Sequence, residues 1–174
     1  TSAAPDGWTT SAPRDEIKPQ FAYNPKGGMD KQGSFVIESD QREGLLGRWT
    51  KTFAVKGGQY YHFTALRKVT GPGTPRRTGV ARVVWRDAKG RSVKHDAAAF
   101  PSYPAGQRPT FTSYHPGEIP TAEPEYPMDG ATDADGWTEQ SDFYLVPSAA
   151  TQAIVELEFR WAATTRVEWA GVSL

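Results

Sequence analysis

Glu156 and Glu158 stand two residues apart in the run Val155-Glu156-Leu157-Glu158-Phe159-Arg160-Trp161. If that run is a strand, both carboxylates point to one face, about 7 Å apart. This is near the separation at which paired carboxylates hydrolyse glycosidic bonds. It is equally the spacing of a surface ion-pair ladder, with Arg160 interleaved on the same face. Three histidines, His62, His95 and His115, are present. There is no Gly-x-Ser-x-Gly elbow, no His-Glu-x-x-His helix and no glycine-rich loop opening a helix. The absence of cysteine removes a thiolate nucleophile, a disulfide framework and a thiolate metal cluster. The expectation is a non-catalytic protein, with a paired-carboxylate glycosidase as the enzymatic alternative.

A different set of residues suits recognition of sugars, which uses flat aromatic faces against pyranose C–H surfaces and planar polar groups against vicinal hydroxyls. Tyr60, His62, Arg82, Glu156 and Glu158 all alternate outward on their strands, and they are expected to share one sheet face if those strands are neighbours. Tyr103, Tyr114 and Tyr126, from a later proline-rich segment, would supply a wall beside it. The six tryptophans, Trp8, Trp49, Trp85, Trp137, Trp161 and Trp169, fall mainly at inward or strand-end positions and read as core. For metal, Asp129, Asp133 and Asp135 gather the oxygen donors that calcium prefers into one turn-rich segment. Their spacing does not match the helix-flanked calcium loop, and Asp before Gly is also ordinary turn chemistry.

The elements that must position these residues read as strands. Short stretches rich in β-branched and aromatic residues are closed by Gly, Pro, Asn or Asp, and no helical period persists. The expected strands are Trp8 to Thr10, Gln20 to Asn24, Ser34 to Glu38, Arg48 to Val55, Gln59 to Val69, Gly79 to Asp87, Ser92 to Lys94, Trp137 to Val146, Thr151 to Trp161 and Arg166 to Leu174. Alternation puts Tyr61, Phe63, Ala65, Ala81, Val83, Trp85, Val155, Leu157, Phe159 and Trp161 inward. From about 95 to 136 the rhythm breaks. Seven of the 14 prolines fall there, with Phe100, Tyr103, Phe111, Tyr114 and Tyr126. This reads as an ordered insertion that packs its aromatics on the body of the protein and overhangs a binding face. The 174 residues, 37% hydrophobic, suit one domain spanning 1–174.

Lys plus Arg number 20 and Asp plus Glu number 20, so no long-range field draws the chain to nucleic acid or anionic lipid. No apolar run approaches the roughly 20 residues a membrane-spanning helix needs.

The run Trp49-Thr50-Lys51-Thr52-Phe53-Ala54-Val55-Lys56-Gly57-Gly58-Gln59-Tyr60-Tyr61-His62-Phe63-Thr64-Ala65, then Arg82-Val83-Val84-Trp85-Arg86-Asp87-Ala88-Lys89-Gly90, resembles the middle of the jelly-roll carbohydrate-binding modules related to families 4, 9, 16 and 22. Gly136-Trp137-Thr138-Glu139, Pro147 to Ala153 and Arg166 to Leu174 are similar to that group's last strands. The resemblance implies an all-β, two-sheet antiparallel jelly-roll sandwich. It further implies a secreted or periplasmic module that binds a poly- or oligosaccharide and is appended to a larger hydrolase of bacterial type. The same fold group also includes domains that only hold neighbours together, so a structural module packed on a catalytic domain is the alternative. Members of the group commonly carry paired acids just before the final Val-x-Leu, one of them a ligand of a structural calcium. Here Trp169-Ala170-Gly171 stands at that place, with Glu168 the nearby carboxylate.

Overall fold

Two-residue alternation gives each strand one apolar face, and laying one sheet on another buries such faces against each other. In the computed structural model of the protein, which describes residues 4–96 and 119–174, ten strands do this. They are β1 (Thr9–Ser11), β2 (Gln20–Asn24), β3 (Ser34–Glu38), β4 (Leu46–Ala54), β5 (Tyr60–Thr70), β6 (Gly79–Arg86), β7 (Met128–Thr132), β8 (Trp137–Leu145), β9 (Gln152–Arg160) and β10 (Arg166–Ser173). One four-stranded sheet has the order β1-β4-β9-β6, and a six-stranded sheet has the order β2-β3-β10-β5-β8-β7. Every named pairing is antiparallel. From β3 onward, successive strands alternate between the sheets except at the β7–β8 hairpin. The helical content of the described residues is a single turn, α1 (Pro75–Thr78), and one 3-10 turn at Asp15–Ile17. No helix there is long and apolar enough to cross a membrane.

The inward sets meet as the alternation requires. Phe63, Val83, Trp85, Val155, Leu157 and Phe159 are fully buried in one core with Trp49 and Trp169. Tyr61 is only partly buried, because its hydroxyl reaches the β4–β5 turn and accepts the Lys56 backbone N–H at 3.0 Å. Inward Arg67 of β5 is also buried. It donates from Nη1 to the Gly79 carbonyl at 3.0 Å and from Nη2 to Asp129 at 2.8 Å. The missing side chain of Gly79 makes this room, since a Cβ there would stand 2.8 Å from Arg67 Cδ.

Three expectations need correction. Ser92 to Lys94 is no strand but two isolated bridges, Arg86 to Ser92 and Lys94 to Thr121. β7 lies inside the stretch read as an irregular insertion. Its low β-propensity sequence, Met-Asp-Gly-Ala-Thr, is held as an edge strand by pairing with β8. Trp161 does not continue the inward row of β9. The strand ends at Arg160, and Trp161 takes a left-handed φ of 49° and turns out to solvent, 66% exposed. The expected ordering of the insertion concerns mainly residues 97–118, which lie outside the described residues.

Candidate functional site

The outer face of the four-stranded sheet is built by register. Pairing of β9 with β4 sets Glu158 opposite Arg48 and Glu156 opposite Thr50. Pairing with β6 sets Glu156 opposite Arg82 and Glu158 opposite Val80. The two glutamates therefore sit in the middle of the sheet with a guanidinium on either side. Arg48 Nη1 lies 3.2 Å from both Glu156 Oε1 and Glu158 Oε1. Arg82 pairs with Glu156 through Nε, and its Nη2 stands 3.2 Å from Glu158 Oε1. Arg160 donates from Nε to Glu158 Oε2 at 2.6 Å. Ser11 of β1 accepts from Arg48 Nε at 3.2 Å and so joins the row.

Glu158 is only 4% exposed, so its carboxylate is held between three arginines in a partly dry setting. Burial of Arg82 works against its charge, but Glu158 and Glu156 outweigh it. Together with the Tyr126 hydroxyl they raise its pKa above the ordinary arginine value. Tyr126 is 51% exposed, next to the Glu125 bridge that lays this segment along β6 at Val83. Arg82, Glu156, Glu158 and Tyr126 thus converge, and Arg48 joins them unannounced. The alternation that buries Trp49 already turns Arg48 outward, but nothing in the sequence says that β4 pairs with β9 there.

Tyr60 and His62 do not join this group, which corrects the expectation of one shared face. Both lie on β5 in the other sheet and point away on its outer side, opposite Leu145 and Phe143 of β8. The His62 ring stacks on Phe143, with centroids 4.1 Å apart and planes 8° apart, and its Nε2 is 2.7 Å from Ser141 Oγ. Tyr103 and Tyr114 lie outside the described residues.

Two of the three aspartates expected as metal ligands, Asp129 and Asp133, are otherwise employed. Asp129 is paired with Arg67 at 2.8 Å and Arg76 at 2.9 Å, and it accepts from Gln140 Nε2 at 2.6 Å. Asp133 Oδ1 accepts the backbone N–H groups of Asp135 and Trp137 and so caps the β7–β8 turn. Among the described residues, no three His, Asp or Glu side chains converge as a metal site. The structural calcium implied by the resemblance is not matched either. Glu168 is engaged by Ser34 Oγ and by Arg166 at 3.2 Å, and Ala170-Gly171 brings no side-chain oxygen.

No protein-family model matches the sequence, and no curated protein matches it. Solved structures do. A family 16 carbohydrate-binding module is 14% identical with a TM-score of 0.57, the match covering 97% of this chain and 89% of that one. The fold is that of the carbohydrate-binding jelly rolls. A Clostridium thermocellum xylanase 10B structure, with its CBM22-1 and GH10 modules complexed with xylohexaose, has a TM-score of 0.56 at 15% identity over 96% of this chain. The enzymatically active domain of bacteriophage CBA120 tailspike protein 4 also scores 0.56, at 13% identity over 97% of this chain. The jelly roll described here spans only 25% of the xylanase chain and 20% of the tailspike chain. At these identities the likeness is one of fold.

Proposed function

We propose that this jelly roll is a non-catalytic carbohydrate-binding module, secreted and joined to a larger hydrolase, that holds a poly- or oligosaccharide across the outer face of its four-stranded sheet. The observation that carries this is the convergence of Arg48, Arg82, Glu156 and Glu158 beside the exposed ring of Tyr126. Fixed guanidinium and carboxylate edges supply donors and acceptors for hydroxyl pairs, and a tyrosine supplies the stacking plane. The oxygens of both carboxylates are already taken up by Arg48, Arg82 and Arg160, which leaves neither free to reach a glycosidic oxygen or an attacking water and speaks against the glycosidase alternative. Tyr103 and Tyr114 remain candidates for the wall on sequence grounds alone.

Titration of the domain with a broad polysaccharide panel tests this. Arg82→Ala is expected to weaken binding by about 1.5 to 3 kcal/mol, the worth of a charge-assisted hydrogen bond. Tyr126→Ala should weaken it through lost stacking, with the fold intact. Absence of binding in the unaltered domain would end the proposal.

One observation favours a second role for the other sheet. Tyr60, Met128, Phe143 and Leu145 are all exposed on its outer side, and a contiguous apolar stripe of this kind suits packing against a neighbouring domain. In a chain that includes the neighbour, Phe143→Arg should loosen the pair and raise the radius of gyration. An unchanged radius would leave the stripe a solvent face.

A further inference from the structure

The end of the four-stranded sheet, where β9 stops, opens into a cavity of about 610 Å³ lined by Trp161, Arg160, Arg76, Arg77, Glu43 and Val80 among others. Trp161 is the odd residue in it. A tryptophan 66% exposed at a φ of 49° forgoes both the burial that favours its large ring and the backbone conformation that L-residues prefer. Such strain persists only where the surroundings impose it. Here they do. The Trp161 N–H donates to the Leu45 carbonyl at 2.9 Å, the Thr164 N–H to Asp40 at 2.7 Å and the Thr165 N–H to Ser39 Oγ at 2.9 Å, while Thr164 is itself left-handed at 50°. The corner is pinned on both sides of the indole, so the ring is presented by a rigid support.

The charge around it is unbalanced. Three arginines and one carboxylate line the cavity. Arg76 shares Asp129 with Arg67, and Arg160 shares Glu158 with Arg48 and Arg82. Arg77 has no ion pair among the described residues. Arg160 and Val80 belong both to this cavity and to the sheet face, so the two are continuous. Trp161 stands five positions after Glu156, one past the end of β9, which at the rise of an extended chain is roughly 16 Å.

We infer that this cavity is a subsite for an acidic sugar, in which a pyranose ring stacks on Trp161 while its carboxylate is taken by the guanidinium groups of Arg77 and its neighbours. The inference rests on the proposed glycan binding and names the residue that the chain selects at one end of its ligand. An aromatic plane fits the apolar side of a pyranose, and a guanidinium fork fits a carboxylate bidentately. The net positive lining gives a uronate an advantage over its neutral counterpart.

The test is calorimetric titration of the domain with polygalacturonate, alginate and glucuronoxylan, each paired with its carboxyl-reduced form. At least one acid should bind more tightly than its reduced partner. Arg77→Ala should erase that preference, and Trp161→Ala should weaken binding by about tenfold. Trp161→Gly should bind as weakly as the alanine variant while unfolding no earlier than it, because glycine relieves the left-handed φ. That result separates a lost stacking plane from a damaged fold. Equal affinity for acidic and reduced forms, binding confined to neutral glycans, or binding unchanged by Trp161→Ala would overturn the subsite and leave the module's glycan binding standing. No binding of any glycan by the unaltered domain would overturn both.

Discussion

Glu158 shows how much one side chain can be asked to do at a site. It is nearly buried and accepts from Arg48, Arg82 and Arg160, so its charge holds three like charges together. Removing one member of a buried ion network leaves uncompensated charge. Glu158→Ala should therefore destabilise the domain by about 3 kcal/mol or more, read as a lower urea midpoint, and Glu158→Gln by less. An unchanged midpoint would show that the arginines relax into water freely. Tyr144 is the opposite case. Its hydroxyl is buried with no hydrogen-bond partner among the described residues. Burial, with the nearby carboxylates of Asp142 and Glu125, pushes its pKa well up, so it stays a neutral phenol. Deleting an unsatisfied hydroxyl removes a desolvation cost, so Tyr144→Phe should leave stability unchanged or raise it by up to about 1 kcal/mol. A clear loss in thermal midpoint would reveal a partner for that hydroxyl.

At the scale of elements, turns set the register on which the site depends. β4 must hand over to β5 in the opposite sheet, and it does so through Gly57 and Gly58. The chain passes so close to the β8–β9 connection that a Cβ at Gly57 would lie 2.2 Å from the Ser148 carbonyl oxygen. No rotamer can relieve a clash with backbone. Gly57→Ala should therefore cost several kcal/mol and displace both connections, seen as lost amide protection at Gly58, whose N–H donates to the Val146 carbonyl at 2.8 Å. Gly58→Ala meets nothing within 4 Å and suffers only its left-handed φ of 75°, so it should cost about 1 to 2 kcal/mol. Similar losses for the two would refute the contact.

For the whole molecule, Asp129 links distant parts of the chain, joining β7 to Arg67 in β5, Arg76 in α1 and Gln140 in β8. Partial burial opposes its charge, but the hydrogen bonds from Arg67, Gln140 and Arg76 and the charge of Arg67 prevail and hold its pKa below the usual carboxylate value. A carboxylate with a depressed folded pKa contributes stability that is present above its unfolded pKa and lost as pH falls through the folded one. The domain should accordingly keep this contribution at neutral pH and lose it below about pH 4. Asp129→Ala should cost about 3 kcal/mol at pH 7, with the difference from the unaltered protein shrinking below pH 4. A difference that stays constant with pH would mean the charge of Asp129 is immaterial.

How much of this was legible depends on range. Alternation within a strand is local, so Phe63, Val83, Trp85, Val155, Leu157 and Phe159 could be assigned to the core from the sequence alone, and with them the two-sheet class. Strand β7 and the turn at Trp161 were missed because a tertiary pairing and a pinned corner overrode weak local signals. Outwardness is local too, which is why Tyr60, His62, Arg82, Glu156 and Glu158 all read correctly as facing away from the core. Which outer face each one occupies is not local. A jelly roll sends successive strands to opposite sheets, so two residues that both point outward can stand on opposite sides of the molecule. The sequence by itself determined the fold class and the inward and outward sets. Only the tertiary structure brought Arg48 to Glu158, parted His62 from Arg82 and turned Trp161 into solvent, because those outcomes follow from strand pairing over long separations, which no local period encodes.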